Sequence, residues 1–327
     1  PNSVTVTGAT GSYTSPTLTL SNVTNDVTVT ASSGNVQIIE NEDGTTTTIT
    51  TTENENGTTT TESVTTDGNG NTLSETETIT NTNGSSTSIT TNYDSNGNET
   101  GHTSTETDTN GNASTQQVTV VNGDEVVTGY TVTTPAMNDS SQSGLTVESG
   151  TGIDTGVIAL DGNPFEITLI AKVAINKSTS GTNSNGGRVV ISALEPTSTG
   201  ATTYKGFAFF VEKSNNKLTL YASSSSSIRT GNSGATWGSK LNSCSATASN
   251  TDYVQHKIVI NYTPGSGNSA GTISLSLDDG TTSSVTSTTI PSSLNNATIS
   301  VGTLGVEHTR DIVAMEIIQF DVKKTIS

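Results

Sequence analysis

The sequence predicts an all-β protein in two parts, an elongated Thr-rich β-repeat stalk followed by a C-terminal two-sheet β-sandwich. Three observations predict it. Turn glycines recur at Gly44, Gly57, Gly70, Gly84, Gly97, Gly111 and Gly123, spaced by 13, 13, 14, 13, 14 and 12 residues. From Phe165 onward, apolar residues recur at every second position through Ile167, Leu169, Ala171, Val173 and Ile175, which places them on one face of a strand. No segment combines a helical period with helix start and stop signals.

Composition bounds what each part can be. Apolar residues make up 29% of the 327 residues, against an ordinary share of roughly 45–50%, so one large core is excluded. Charged residues are only 13%, which is not the make-up of a highly charged disordered chain. Thr, Ser, Asn and Gly fill the difference. Thr favours a pleated, half-solvated face, and Asn and Gly favour turns.

Taken in order, residues 1–33 read as the C-terminal part of a small β repeat, with strands expected at Ser3–Thr7, Thr17–Leu20 and Asp26–Thr30. They lack an opening strand, so the chain is expected to be the C-terminal part of a longer or processed protein. Residues 34–135 are the stalk. Most turn glycines follow Asn (Asn56, Asn69, Asn83, Asn96, Asn110, Asn122), and Asn-Gly predicts two-residue hairpins in which both residues take positive φ. Each strand offers only one or two apolar residues among Ile49, Val64, Leu73, Ile79, Ile89 and Tyr93. One chain then buries too little to offset its ordering entropy, so a homotrimer is expected, with these residues and Thr methyl groups turned toward a shared axis. Rows of Thr also suit an ice-binding face, but Glu75, Glu77, Glu99 and Glu106 are expected to interrupt it. Residues 136–143 read as a linker, and 144–327 as the sandwich. Its further strands are expected at Arg188–Ala193, Gly206–Glu212, Lys217–Ala222, Tyr253–Tyr262, Thr272–Asp278, Thr298–Leu304 and Ile312–Val322.

Charge is unevenly placed. The net charge is −18, yet no Lys or Arg precedes Lys172, and residues 1–171 hold 21 of the 30 acidic residues. Such a stalk repels nucleic acid and anionic membranes. No apolar run approaches the ~20 residues of a membrane span. A single cysteine, Cys244, excludes an internal disulfide.

Candidate chemistry is sparse. His102, His256 and His308 lack the nucleophile elbow that a Ser-His-Asp triad requires. His256 shares a strand face with Val254, Ile258 and Ile260 and reads as a core residue. Calcium takes several carboxylate and carbonyl oxygens, which makes Asp278 and Asp279, and Asp154 with Asp161, the candidate ligands. An unoccupied Asp279-Gly280 turn is the simpler reading of the first pair. The stretch 223–252 reads as one long polar loop carrying the only tryptophan, Trp237, with Arg229 and Lys240. Long loops are often functional; an exposed Trp is a sugar platform or an interface anchor, and a Trp237 folded back over a sheet edge is the alternative reading.

Two stretches resemble known families. The tail LTLSNVTNDVTVTA resembles small Ig-like repeats of tailed-phage virion proteins and Gram-positive surface proteins. GIDTGVIALDGNPFEITLIAKV (152–173), GFAFFVEKSNNKLTLYAS (206–223), YVQHKIVINYTPGSGNSAGTISLSLDDGTTSS (253–284) and AMEIIQFDVKK (314–324) resemble the concanavalin A-like lectin/glucanase jelly rolls, laminin-G-like domains included. That resemblance implies a jelly roll that binds sugars or proteins, with calcium near a loop edge in some members. Hydrolytic members carry E-x-D-x-x-E, which is absent here, so no enzyme activity is expected. Together the resemblances imply a virion-surface fibre of a tailed bacteriophage, whose partners are a host-cell glycan or protein and other virion proteins. A bacterial adhesin and a purely architectural virion decoration are the alternatives.

Because the acidic stalk repels itself, its melting temperature should rise with ionic strength. Calorimetry in NaCl, and in CaCl2 at matched ionic strength, checks this. No response to either salt contradicts it.

Overall fold

The computed structural model describes residues 3–7, 10–14, 17–21, 28–32, 35–138, 145–147, 152–175, 188–199, 204–212, 217–228, 239–247, 254–267, 269–304 and 313–326. It is nearly all β, with one four-residue helix, α1 (Pro135–Asn138). The chain forms two compact units that divide after Val126.

The first unit is an antiparallel meander. Strands β1 (Ser3–Thr7), β4 (Thr28–Ser32), β5 (Val36–Glu40), β6 (Thr46–Glu53), β7 (Thr59–Thr66), β8 (Thr72–Thr80), β9 (Ser86–Tyr93), β10 (Glu99–Thr107) and β11 (Ala113–Val121) lie side by side, while β2 (Thr10–Thr14) and β3 (Thr17–Ser21) form a separate hairpin. Expected strand Asp26–Thr30 is observed from Thr28, its first two residues lying outside the described ones. β6 to β11 pack against their neighbours in the sheet, and among the described residues of this unit the only buried apolar side chain is Val118. The sheet is one layer thick.

The turns differ from expectation. At six of the seven glycines the loop has three residues. In the first, the Gly44 amide donates to the Asn41 carbonyl at 3.0 Å and the Asn41 amide to the Thr45 carbonyl at 2.8 Å. Only the glycine takes positive φ there, +83° at Gly44, the pattern of a turn followed by a left-handed bulge residue. The two-residue Asn-Gly form occurs at Asn122-Gly123 alone, with φ of 55° and 89°. The reason lies at the start of each loop, where a side chain caps the extra residue. Asp67, Asp94 and Asp108 each accept the backbone amides two and four residues on, at 2.8–2.9 Å. Asn54 instead donates from Nδ2 to the hydroxyls of Thr58 and Thr60.

Register sorts the side chains of this sheet onto two unlike faces. One face carries Thr47, Thr65, Thr76, Thr90, Thr103 and Thr115, with Thr47 opposite Thr65 and Thr90 between Thr76 and Thr103. The other carries Glu62, Glu75, Glu77, Glu99 and Glu106 with Val64, Ile79, Ile89 and Tyr93. The glutamates therefore do not interrupt the Thr rows, correcting the expectation. Glu62 and Glu77 sit directly opposite each other, a destabilising arrangement for like charges.

The second unit is a two-sheet sandwich. One sheet runs β12 (Asp124–Thr133), β24 (Val313–Lys324), β15 (Phe165–Ile175), β20 (Val254–Thr263), β21 (Thr272–Leu277) and β22 (Ser283–Thr286), with β13 (Leu145–Val147) also paired to β24. The facing sheet runs β14 (Gly152–Ala159), β23 (Asn296–Leu304), β16 (Arg188–Pro196), β17 (Tyr204–Glu212), β18 (Lys217–Ile228) and β19 (Ser239–Thr247). The predicted alternation holds, with Phe165, Ile167, Leu169, Ala171 and Val173 all buried. They meet Ile191, Ala193, Phe207, Phe209, Ile299 and Val301 in one core. Phe165 packs on Tyr262 at 5.1 Å and on Phe207 at 6.2 Å between ring centroids.

Acid should weaken the Asp-capped turns of the first unit. Hydrogen bonds, those from the Asn side chains first, hold the Asp67, Asp94 and Asp108 carboxyls below the ordinary 3.8. Groups depressed in the folded state stabilise it above the unfolded pKa and lose that contribution as pH falls through the folded one. Asn already opens the equivalent loops at Asn54 and Asn81. The triple variant Asp67→Asn, Asp94→Asn, Asp108→Asn should therefore fold at neutral pH and lose less stability between pH 5 and 3 than the wild type. Superimposable pH–melting curves contradict this.

Candidate functional site

The predicted long loop is shorter than expected. Ser223–Ile228 extends β18, and Ser239–Thr247 forms β19, which pairs back on β18. Serine has little strand preference of its own, so neighbouring strands impose this conformation. The connection 229–238, with Arg229 and Trp237, lies outside the described residues. Lys240 is placed at the start of β19, in register with Tyr221.

One of the strands flanking that connection, β19, lies at an edge of the sandwich. β19 is the last strand of one sheet and β22 the last of the other. Ser283 joins them, accepting the Ser245 amide at 3.2 Å and donating to the Ser243 carbonyl at 3.1 Å. Cys244 is buried beside them, its thiol near the carbonyls of Ser283 and Ile273. Burial pushes that thiol up to about 11, which keeps it protonated and unreactive.

Asp278 and Asp279 occupy the centre of the β21–β22 turn, both at positive φ (53° and 55°), with the Gly280 amide donating to the Leu277 carbonyl at 3.0 Å. The turn is thus centred one residue before Asp279-Gly280. Both carboxylates are engaged by the protein. Asp278 lies 2.7 Å from Nδ1 of His256 and accepts the Lys257 amide at 2.8 Å. Asp279 pairs with Lys257 Nζ at 2.9 Å, which raises the lysine pKa through that hydrogen bond. His256 is buried on the face of Ile258 and Ile260, as its strand position implies. The other candidate pair is likewise engaged, Asp161 by the buried Lys324 at 2.6 Å and Asp154 by the Gly156 amide at 2.8 Å.

One set of metal-ligating groups that sequence reasoning missed comes together in the first unit. Ligand atoms of Glu99, His102 and Glu125 lie within 4.8 Å of one another. A bulge makes this possible. Glu99 pairs with Tyr93 but Gly101 with Asn92, so an extra residue intervenes and Glu99 and His102 share a face. Gly101 is required there, since a Cβ would meet the Val118 carbonyl oxygen at 2.3 Å. Glu99 Oε1 lies 3.0 Å from His102 Nδ1. Nearby, Tyr93 donates to Glu75 at 3.0 Å, and that bond raises its pKa. One imidazole with two carboxylates suits zinc or manganese better than calcium, which prefers an all-oxygen shell. The sequence signal was His102, the sole histidine before Lys172.

No family model matches the chain, and no curated protein matches it. Solved structures do. The carbohydrate recognition domain of Emp47p is 11% identical, covers 65% of this chain and 88% of its own, and has a TM-score of 0.34. A legume lectin-like domain from Entamoeba histolytica is 12% identical, covers 57% and 85%, and has a TM-score of 0.33. The endo-1,3-beta-glucanase of Streptomyces sioyaensis is 13% identical, covers 81% and 79%, and has a TM-score of 0.31. The fold class stands on the strand order and burial described above.

Asp278→Ala should destabilise the sandwich by about 1–3 kcal/mol, because it leaves the buried His256 ring nitrogen without its acceptor. Denaturant unfolding with and without calcium checks this. A calcium-dependent stability that Asp278→Ala abolishes would return the turn to a metal-binding role.

Proposed function

We propose that the chain is a non-enzymatic surface-display protein whose sandwich recognises a glycan or protein on a host bacterium, while the Thr-rich sheet spaces it from its support. The virion of a tailed bacteriophage is the support to which residues 1–33 and the repeat point. One observation carries the reading, the division of chemistry between the units. The first unit has no Lys, Arg or Trp, and among its described residues the only buried apolar side chain is Val118. The second has the packed core, every basic residue and Trp237.

The binding surface is assigned to the connection 229–238, which joins β18 and the edge strand β19. Loops at a sandwich margin vary without disturbing the core.

Full-length wild type and Trp237→Ala are compared on a glycan array and for adsorption to host surface extract. The variant should keep its circular dichroism and lose most binding, since anchors of this kind are worth about 2 kcal/mol or more. Undiminished binding contradicts the assignment to this loop.

A further inference from the structure

We infer that the Thr/Ser face of the first unit is a self-association surface, seated against the same face of another copy of this chain with the glutamate face outward. This goes beyond the proposed binding role and does not depend on it.

The first step is charge. In β6 to β11, the ladder positions on this face are Thr or Ser except Ile49, Glu53, Asn92, Gly101, Ala113 and Gln117. Glu53 is the only charge among them, and it sits at the end of β6 beside the turn. Turning Val64, Ile79 and Ile89 toward another copy instead would bring in Glu62, Glu75 and Glu77, with no Lys or Arg anywhere in the unit to compensate. Two such faces repel each other, and two Thr/Ser faces do not.

The second step is desolvation. Many hydroxyls on this face already hold one another across the strands. Thr47 meets Thr65 at 3.0 Å, Thr76 meets Thr90 at 2.9 Å, Thr78 meets Ser88 at 2.8 Å and Thr105 meets Thr115 at 3.0 Å. Burying a polar group is costly only when it lacks a partner. At these four pairs the hydroxyls are satisfied within the sheet, and what faces outward there is the Thr methyl groups. That favours a dry protein contact over a surface that must bond to water.

The third step is area. Six strands about 4.8 Å apart, with eight or nine residues at about 3.3 Å each, give a face of roughly 800 Å². Stable interfaces bury about 800 Å² per partner, so the face is large enough for a specific contact. A one-layer sheet needs something to cover a face if it is to be stable alone.

The test measures the mass of the full chain by analytical ultracentrifugation across protein concentration. The wild type should be a multimer. Thr76→Arg with Thr105→Arg, on the Thr/Ser face, should shift it to monomer while its β circular dichroism is retained. Thr87→Arg with Thr91→Arg, on the glutamate face, should leave it a multimer. If the Thr/Ser-face variant does not fold, Thr76→Ala with Thr105→Ala serves instead and should weaken association at least tenfold. A monomeric wild type, or a multimer lost only through the glutamate-face substitutions, overturns the inference. A monomer that slows ice recrystallisation would assign the face to ice and overturn it equally.

Discussion

A sheet one layer thick has no interior, and that constraint governs the first unit. Burial cannot hold β5 to β11 together, so the stabilising contacts lie within the plane of the sheet and at its ends. Backbone ladders supply the plane, cross-strand hydroxyl pairs such as Thr76–Thr90 reinforce one face, and capped turns fix the register. Each contribution is small, since a cross-strand pair is worth roughly 0.2–1 kcal/mol. Repetition does the rest. The composition follows from the constraint, because Thr is the residue that favours a strand, tolerates solvent and carries both a methyl group and a hydroxyl.

The second unit solves the opposite problem. Its two sheets share a core in which Phe165, Phe207 and Tyr262 form an aromatic centre, and its polar groups are held individually. Lys324, though buried, is fixed by Asp161 and the Ala159 carbonyl. Buried Glu316 faces Lys172. A unit held this way can vary its surface connections at little cost to its stability, which favours it over the repeat for the proposed binding role.

Much of this was legible in the sequence. The alternation from Phe165 to Val173 gave the central strand and its buried face directly, and the glycine period gave the meander. SETETIT also encodes the two-faced sheet, since Glu75 and Glu77 alternate with Thr76 and Thr78. Reading its glutamates as interruptions overlooked the strand's own period. Other features were hidden for physical reasons. Asn-Gly fits both two- and three-residue loops, and the choice rests on the side chain that opens the loop. Bulges reverse facing, so simple alternation cannot place Glu99 with His102. The Ser-rich parts of β18 and β19 are strands because neighbours pair with them. At the candidate site, the expected turn at Asp279-Gly280 falls one residue late, Asp278 being a central turn residue and not the end of the strand, and the His256 partner of Asp278 is 22 residues away, so only the fold joins them. Of the predicted ligand-binding trio, the described residues place Lys240 alone, on β19.

The central claim is that one chain contains two units with different sources of stability, a buried core in one and in-plane pairing completed by other copies in the other. Differential scanning calorimetry of the full chain over a hundredfold range of protein concentration tests it most directly. The account predicts two transitions, one that moves to higher temperature as concentration rises and one that stays fixed. A single transition independent of concentration would contradict it.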